Sequence, residues 1–265
     1  MQYILFYIVK GDVVSRKISL NADLGESFGR YVLGNDAELM KVITTANIAC
    51  GYHAGDSRTM NESVMLAKNT NVDIGAHIGF PDLVGFGRRY MKLSPNEIYE
   101  ITVHQIGSLS GFCKVNNVKI CHVKPHGQLF MAAQNESESA HAMVNAIGDV
   151  DSSLILLMEG EIPALACKSK GIRFVEEGYI DLDYDDDGML VIEKEKKERD
   201  PEAIARIAID LVNQQGRKTL SGRWKDIPVK SVCVHGDGPN ALQIAHAVRN
   251  GLESADIEIV SLRQL

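Results

Sequence analysis

Short apolar runs alternate with longer amphipathic segments along nearly the whole chain. The runs that predict β-strands lie at 17–21, 43–49, 72–76, 119–124, 154–158, 172–176 and 231–235, with a further one at 258–262. Between them, apolar residues recur at helical spacing over 36–41, 57–69, 95–114, 136–147, 162–170, 201–215 and 239–253. Two of these helices carry start signals. Asp200 before Pro201 predicts an N-cap with proline at the first helical position, followed by the stripe Ile204, Ile207, Ala208, Leu211 and Val212, with Gly216 as the stop. Asp237-Gly238-Pro239 reads as the opening of the last helix, whose stripe is Leu242, Ala245, Val248 and Leu252.

Repeated strand–helix alternation builds a parallel sheet with crossover helices, either an open doubly wound sheet or a closed barrel. The alternation inside the strands decides between them. His122, Lys124 and His126 alternate with Cys121 and Val123, which face the other way, Asn21 and Asp23 with Leu20 and Ala22, Asn47 with Ile48, His77 with Ala76, and His235 and Asp237 with Val234. Strands of a doubly wound sheet are covered on both faces and tend to be apolar throughout. One apolar and one polar face near the strand ends fits an α/β chain folded as a (β/α) barrel, seven-stranded and irregular, with helices outside and a polar mouth. Residues 17–265 are expected to form this single domain, preceded over 1–16 by an extension or an extra strand.

Composition narrows the partners. The chain has 265 residues, 45% of them hydrophobic and 24% charged, as in an ordinary globular protein. A formal charge of -7 argues against nucleic acid or an anionic membrane as the main partner. Five scattered cysteines, none in a C-x-x-C pair, suit a reducing cytoplasm and small buried apolar roles rather than a zinc cluster. The apolar run at 2–9 is too short to span a bilayer and lacks the flanks of a secretory signal, so a cytoplasmic location is expected. The acidic stretch 183–188 imitates the start of an EF-hand loop, but Lys194 stands where the bidentate glutamate is needed, and an acidic turn between two short strands is the expectation. The charge run 193–199 reads as a solvated surface segment.

The chemistry-bearing residues fall just after the strands, where barrel enzymes build their sites. Asn21, Asp23 and Glu26 follow the first strand, Asn47 and His53 the second, His77 the third with Arg88 and Arg89 in the glycine-rich loop behind it. Lys124 and His126 follow the fourth, His235 and Asp237 the seventh. Such residues suit hydrolysis of an acyl or amide group. An aspartate or histidine activates water, a lysine holds the developing oxyanion, and Arg88 or Arg89 pairs with a substrate carboxylate. Asp23, His53 and His77 are also ligand types for a divalent metal, so a metal-dependent deacetylase or amidohydrolase stays open beside the first reading. So does a metabolite-binding subunit without turnover.

The motifs N-A-D-L-G-E at 21–26, A-N-I-A-C-G-Y-H-A-G-D at 46–56, G-F-G-R-R at 85–89, V-K-P-H-G at 123–127 and H-G-D at 235–237 together resemble the LamB/YcsF family over about residues 17–262. The resemblance implies a barrel of the glycoside hydrolase/deacetylase type. It also implies an A subunit that opens 5-oxoproline to L-glutamate at the expense of ATP, together with separate B and C subunits. Asp23, His53, His77, Lys124, His126 and His235 match the family's polar centre, and Asn21, Glu26, Asn47, Arg88, Arg89 and Asp237 are the accompanying substrate-binding candidates. The chain contains no G-x-x-x-x-G-K-[ST] loop, so nucleotide handling is expected with, or shared with, the partner subunits. Leu182 and Glu193 stand where the family usually carries arginines, a change expected to bear on which lactam is used.

Overall fold

In the computed structural model, residues 16–193 and 196–265 are described, so most of the segment expected as an N-terminal extension lies outside the described residues. The strands are β1 (Arg16–Leu24), β2 (Thr45–Ala49), β3 (Asp73–Ile78), β4 (Ile120–Pro125), β5 (Ile155–Met158), β6 (Arg173–Tyr179), β7 (Gly216–Lys218), β8 (Trp224–Asp226), β9 (Ser231–His235) and β10 (Ile257–Ile259). The helices are α1 (Asp36–Leu39), α2 (Ser57–Thr70), α3 (Pro95–Val115), α4 (Gly127–Asn135), α5 (Ser137–Val150), α6 (Glu161–Lys170), α7 (Pro201–Gln214) and α8 (Ala241–Ser254).

Strands β1 to β6 and β9 pair in parallel, in that order, and β9 pairs back onto β1 from Ser19↔Ser231 to Asp23↔His235. The expected seven-stranded parallel barrel is therefore closed. It is irregular in two places. The register shifts between Ile74 and Gly75 where β3 meets β4, and β10 takes over the flank of β1 at Arg16–Ile18, ahead of β9.

Leu20, Ala22, Ile48, Ala76, Val123, Leu156 and Val232 face the surrounding helices in the main apolar core. Inside the barrel a second cluster of Cys121, Ile155, Leu157, Val175 and Leu262 fills the end where the strands begin; Cys121, expected to face outward with Val123, lies inside because the register shift passes over it. Leu262 belongs to a 3-10 turn, Leu262–Gln264, placed by Arg263, whose backbone N–H and guanidinium both reach the Asp73 carboxylate at 3.2 and 3.0 Å. The strand expected over 258–262 thus ends early, because its last residues turn inward as a plug.

Above the plug the interior is polar. His122 Nε2 donates to Asn47 Oδ1 at 2.7 Å, Asn47 Nδ2 to Asn21 Oδ1 at 2.7 Å, and Asn21 Nδ2 to Ser231 Oγ at 2.8 Å. A buried amide without partners costs about 1–3 kcal/mol, so this cross-bonding is what makes a polar layer tolerable there. Gly75 makes room for it, since a Cβ at that position would overlap the His122 ring.

Local signals place the helices. Asp56 accepts from Thr59 N at the start of α2, Ser94 and Glu97 form a capping box around Pro95 at α3, and Asp200 accepts from Glu202 N at α7. Gln215 in the left-handed region, rather than Gly216, ends α7. The last helix starts at Ala241, later than Asp237-Gly238-Pro239 suggested, and those three residues form a turn. Helix α4 is not among the helices that the spacing predicts. It begins at Gly127, whose φ is +52° and whose Cβ position lies 2.5 Å from the Gly87 carbonyl oxygen, so only glycine lets the loop around 87 rest on the helix start. The acidic stretch forms a turn in which Asp185 Oδ1 accepts from Asp187 N and Met189 N, flanked by a single bridge between Tyr184 and Leu190 rather than by two strands.

Candidate active site at the barrel mouth

Asp23 leaves the end of β1 facing inward and is 4% exposed. Its Oδ1 accepts from Asn47 Nδ2 and from Lys124 Nζ, each at 2.9 Å. Its Oδ2 faces the mouth, 3.4 Å from His77 Nε2 and 3.8 Å from His235 Nε2. Burial works to raise the Asp23 pKa, but His77 and Lys124 outweigh it and hold the carboxyl well below the usual range.

Lys124 is the most enclosed cation of the site. Besides Asp23 its Nζ meets Glu177 Oε1 at 3.0 Å, Cys233 Sγ at 2.9 Å and Asn21 Oδ1 at 3.4 Å, and it lies 5.4 Å from the centre of the Tyr179 ring. Burial alone would depress its pKa, yet Asp23, Cys233 and Glu177 push it well above the ordinary lysine value, so it is an ammonium. Asn21 and Asn47 are wholly buried beneath this pair. They orient Asp23 and Lys124 and do not reach the mouth, which corrects their expected place among substrate-binding groups.

On the opposite side, Asp181 Oδ1 accepts from His235 Nδ1 at 2.8 Å and its Oδ2 from the His235 backbone N–H at 2.9 Å. A carboxylate only accepts, so Nδ1 carries the hydrogen, and in a neutral ring the Nε2 lone pair faces the mouth. Burial opposes ionisation of Asp181, but His235 and Lys196 together keep its pKa low.

The two expected arginines part company. Arg88 lines the cavity and donates to Asp237 Oδ2 at 2.7 Å, while Lys196 meets Asp237 Oδ1 at 2.8 Å. Arg89 turns away to pair with Asp82 and is 65% exposed, so it does not belong to the mouth. Lys196 and Glu193 line the cavity too, and Glu193 pairs with Arg199 at 2.7 Å. The charge run read as solvated therefore contributes to the site. Leu182, Leu190 and Ile192 give the same cavity an apolar side.

A third group sits beside Asp23. Glu26, His53, His77 and His126 are all buried, and one ligating atom from each lies within 4.8 Å of the others. Burial and the neighbouring His77 keep the His53 pKa well below normal, and burial with His53 does the same for His126. Burial, then Asp237 and Asp23, raises the Glu26 pKa well above its usual value.

Glu177, Asp181, Lys196, Tyr179 and Cys233 were not among the sequence candidates. The signal existed for four of them. Glu177, Tyr179 and Asp181 continue the every-second-residue pattern of β6 past the point where the predicted strand stopped, and Cys233 shares the parity of His235 on β9.

A closed parallel (β/α) barrel with a buried, charged mouth defines the class. The chain belongs to the LamB/YcsF family, whose model matches residues 18–265. It is 46% identical to the 5-oxoprolinase A subunit of Staphylococcus epidermidis over 250 residues, covering 93% of this chain and 99% of that one. Against the 5-oxoprolinase A subunit of Pyrococcus abyssi the identity is 44% over 250 residues, covering 93% and 98%. Among solved structures it superposes on the lactam utilization protein of Thermus thermophilus with a TM-score of 0.85 and 39% identity, covering 93% of this chain and 100% of the other. Among the described residues no helix is long and apolar enough to cross a membrane.

Proposed function

We propose that the chain is the A subunit of an ATP-dependent 5-oxoprolinase, which with B and C subunits opens the lactam of 5-oxoproline to L-glutamate in the cytoplasm. The observation that carries this reading is the near full-length likeness to proteins named as the A subunit of 5-oxoprolinase. The site suits the chemistry. His235 Nε2, oriented by Asp181, takes a proton from water as the water oxygen attacks the lactam carbonyl carbon. The Lys124 ammonium faces the negative charge that develops on the carbonyl oxygen. The ring C–N bond then breaks, and the leaving nitrogen takes up a proton to become the amino group of glutamate. ATP would supply the driving force by phosphoryl transfer to the lactam oxygen away from this chain, before water attacks; the ring-opened acyl phosphate then gives L-glutamate and phosphate with a second water. The mouth is a poor fit for a triphosphate, because the four carboxylates of Asp23, Glu177, Asp181 and Asp237 outnumber the three cations Arg88, Lys124 and Lys196, so no step on this chain is assigned to the nucleotide.

The test is glutamate release from 5-oxoproline by this chain with its B and C partners, with and without ATP. ATP-dependent glutamate supports the reading. A complex that assembles, binds 5-oxoproline and releases no glutamate overturns it in favour of a binding role. Within the reading, Arg88→Ala is expected to raise the KM for 5-oxoproline roughly tenfold to a hundredfold, the loss of one charge-assisted pair of about 1.5–3 kcal/mol. Arg89→Ala is expected to leave KM unchanged, and equal effects of the two variants in steady-state kinetics would remove Arg88 from substrate recognition.

A further inference from the structure

His77 and His126 are locked in tautomers that leave them facing each other badly. His77 Nδ1 lies 3.1 Å from the Lys124 carbonyl oxygen, and His126 Nε2 lies 2.8 Å from the Phe86 carbonyl oxygen. A carbonyl oxygen can only accept, so both of those ring nitrogens carry hydrogens. In neutral rings the remaining nitrogens, His77 Nε2 and His126 Nδ1, are then both lone pairs, and they stand 3.1 Å apart in the buried interior. Two acceptors at that distance need a positive charge that both can approach.

His53 adds a second, independent oddity. Its side chain is wholly buried, and neither ring nitrogen has a hydrogen-bond partner. Gly79 and Gly87 press their backbones against this side chain, since an added Cβ would come within 2.6 Å of the His53 Nδ1 at Gly79 and within 2.8 Å of the His53 Cβ at Gly87. Its Nε2 lies 3.6 Å from Glu26 Oε1, and that oxygen is 4.0 Å from His77 Nε2.

We propose that Glu26, His53, His77 and His126 form a binding site for one divalent metal ion of the zinc class. Bonds of about 2.0–2.1 Å in a tetrahedron put neighbouring ligand atoms about 3.3–3.4 Å apart. The separations of 3.1, 3.6 and 4.0 Å already bracket that spacing. The backbone carbonyls behind His77 and His126 are the partners that ligating histidines use to fix ring orientation. Three imidazoles and one carboxylate select a borderline transition metal over magnesium or calcium. Binding requires one adjustment: the His53 ring, stacked on His126 at 4.0 Å, tilts out of parallel to aim its lone pair at the ion. Asp23 Oδ2, 3.4 Å from His77 Nε2 and 3.8 Å from His235 Nε2, flanks the set on the side of the mouth and is not one of the four mutually close ligand atoms. The ion, not Lys124, then supplies the positive charge that the two facing lone pairs lack.

The experiment uses the full chain alone, without lactam, ATP or partner subunits, so its outcome is separate from that of the proposed activity. Chelator-treated protein is titrated with zinc by calorimetry and with cobalt(II) by visible absorption. One ion per chain is expected, with cobalt giving the ligand-field bands of a four-coordinate nitrogen–oxygen site and zinc displacing it. His53→Ala and Glu26→Gln are each expected to weaken zinc binding by about a hundredfold or more. Because these residues are buried, the wild-type protein is also read by histidine nitrogen chemical shifts. Zinc must move those of His53, His77 and His126 and leave those of His141 and His246. Failure of the wild type to take up a stoichiometric ion overturns the proposal, and a His77 imidazolium in the metal-free protein would then identify the missing charge as a proton. Zinc bound with unchanged affinity by both folded variants, or shifting other histidines, overturns it as well.

Discussion

Lys124→Met is expected to lower glutamate formation by the assembled enzyme by at least a hundredfold to a thousandfold, and to destabilise the chain itself. Loss of a preorganised cation at a developing oxyanion accounts for the first effect. The second follows from burial. Lys124 is 2% exposed and sits between the carboxylates of Asp23 and Glu177, themselves 4% and wholly buried. Removing one partner of a buried ion pair costs about 3–5 kcal/mol, because the remaining charges stay in the interior unpaired. The sign with pH is fixed by the same groups. The raised Lys124 pKa means that its stabilising contribution is complete below the ordinary lysine range and is lost as pH rises through the folded value. The double variant Lys124→Met/Glu177→Gln separates the two effects, recovering much of the thermal stability and none of the activity. A single variant with wild-type turnover would remove Lys124 from the chemistry.

The barrel was legible because polar and apolar residues alternate in the strands, and only a closed sheet with a polar interior explains that alternation. Asn21, Asn47 and His122 show how the same signal misleads about depth. Parity says that a residue faces the barrel axis but not how far along the axis it sits, so residues that orient the catalytic groups look identical to residues that meet a ligand. Arg89 was misplaced for a different reason. Neighbours in a loop have no fixed parity, and the pairing with Asp82 that pulls Arg89 outward depends on the turn that brings residue 82 beneath 85 and 89. Helix α4 escaped because its first residues, His126 and Gly127, look like a loop and gain their helical start from the backbone of Gly87. Asp181 shares the parity of β6, but its role as an anchor, like that of Lys196, is not legible, since what joins them to His235 and Asp237 is tertiary contact across 54 and 41 residues of chain.

Asp181→Asn is expected to reduce kcat by about a hundredfold to ten-thousandfold, the range in which general-base catalysis contributes, with little change in the KM for 5-oxoproline. The carboxylate accepts from both the backbone and Nδ1 of His235, at 2.9 and 2.8 Å, and so dictates that Nε2 presents a lone pair toward Asp23 and the mouth. An asparagine of the same shape can offer its amide N–H to Nδ1 instead. That choice reverses the tautomer and puts a hydrogen on Nε2, where a proton must be accepted. Stability reads the same contact in a different way. Because the folded-state pKa of Asp181 is depressed, its contribution is present above the ordinary carboxylate range and disappears as pH falls through the folded value. The stability gap between wild type and Asp181→Asn should therefore close on acidification, while the kcat deficit persists at neutral pH. His235→Gln, which keeps a donor toward Asp181 but has no basic nitrogen, is expected to match the kcat of Asp181→Asn. If Asp181→Asn turns over at the wild-type rate, His235 is not the group that activates water, and the free oxygen of Asp23 becomes the base by position.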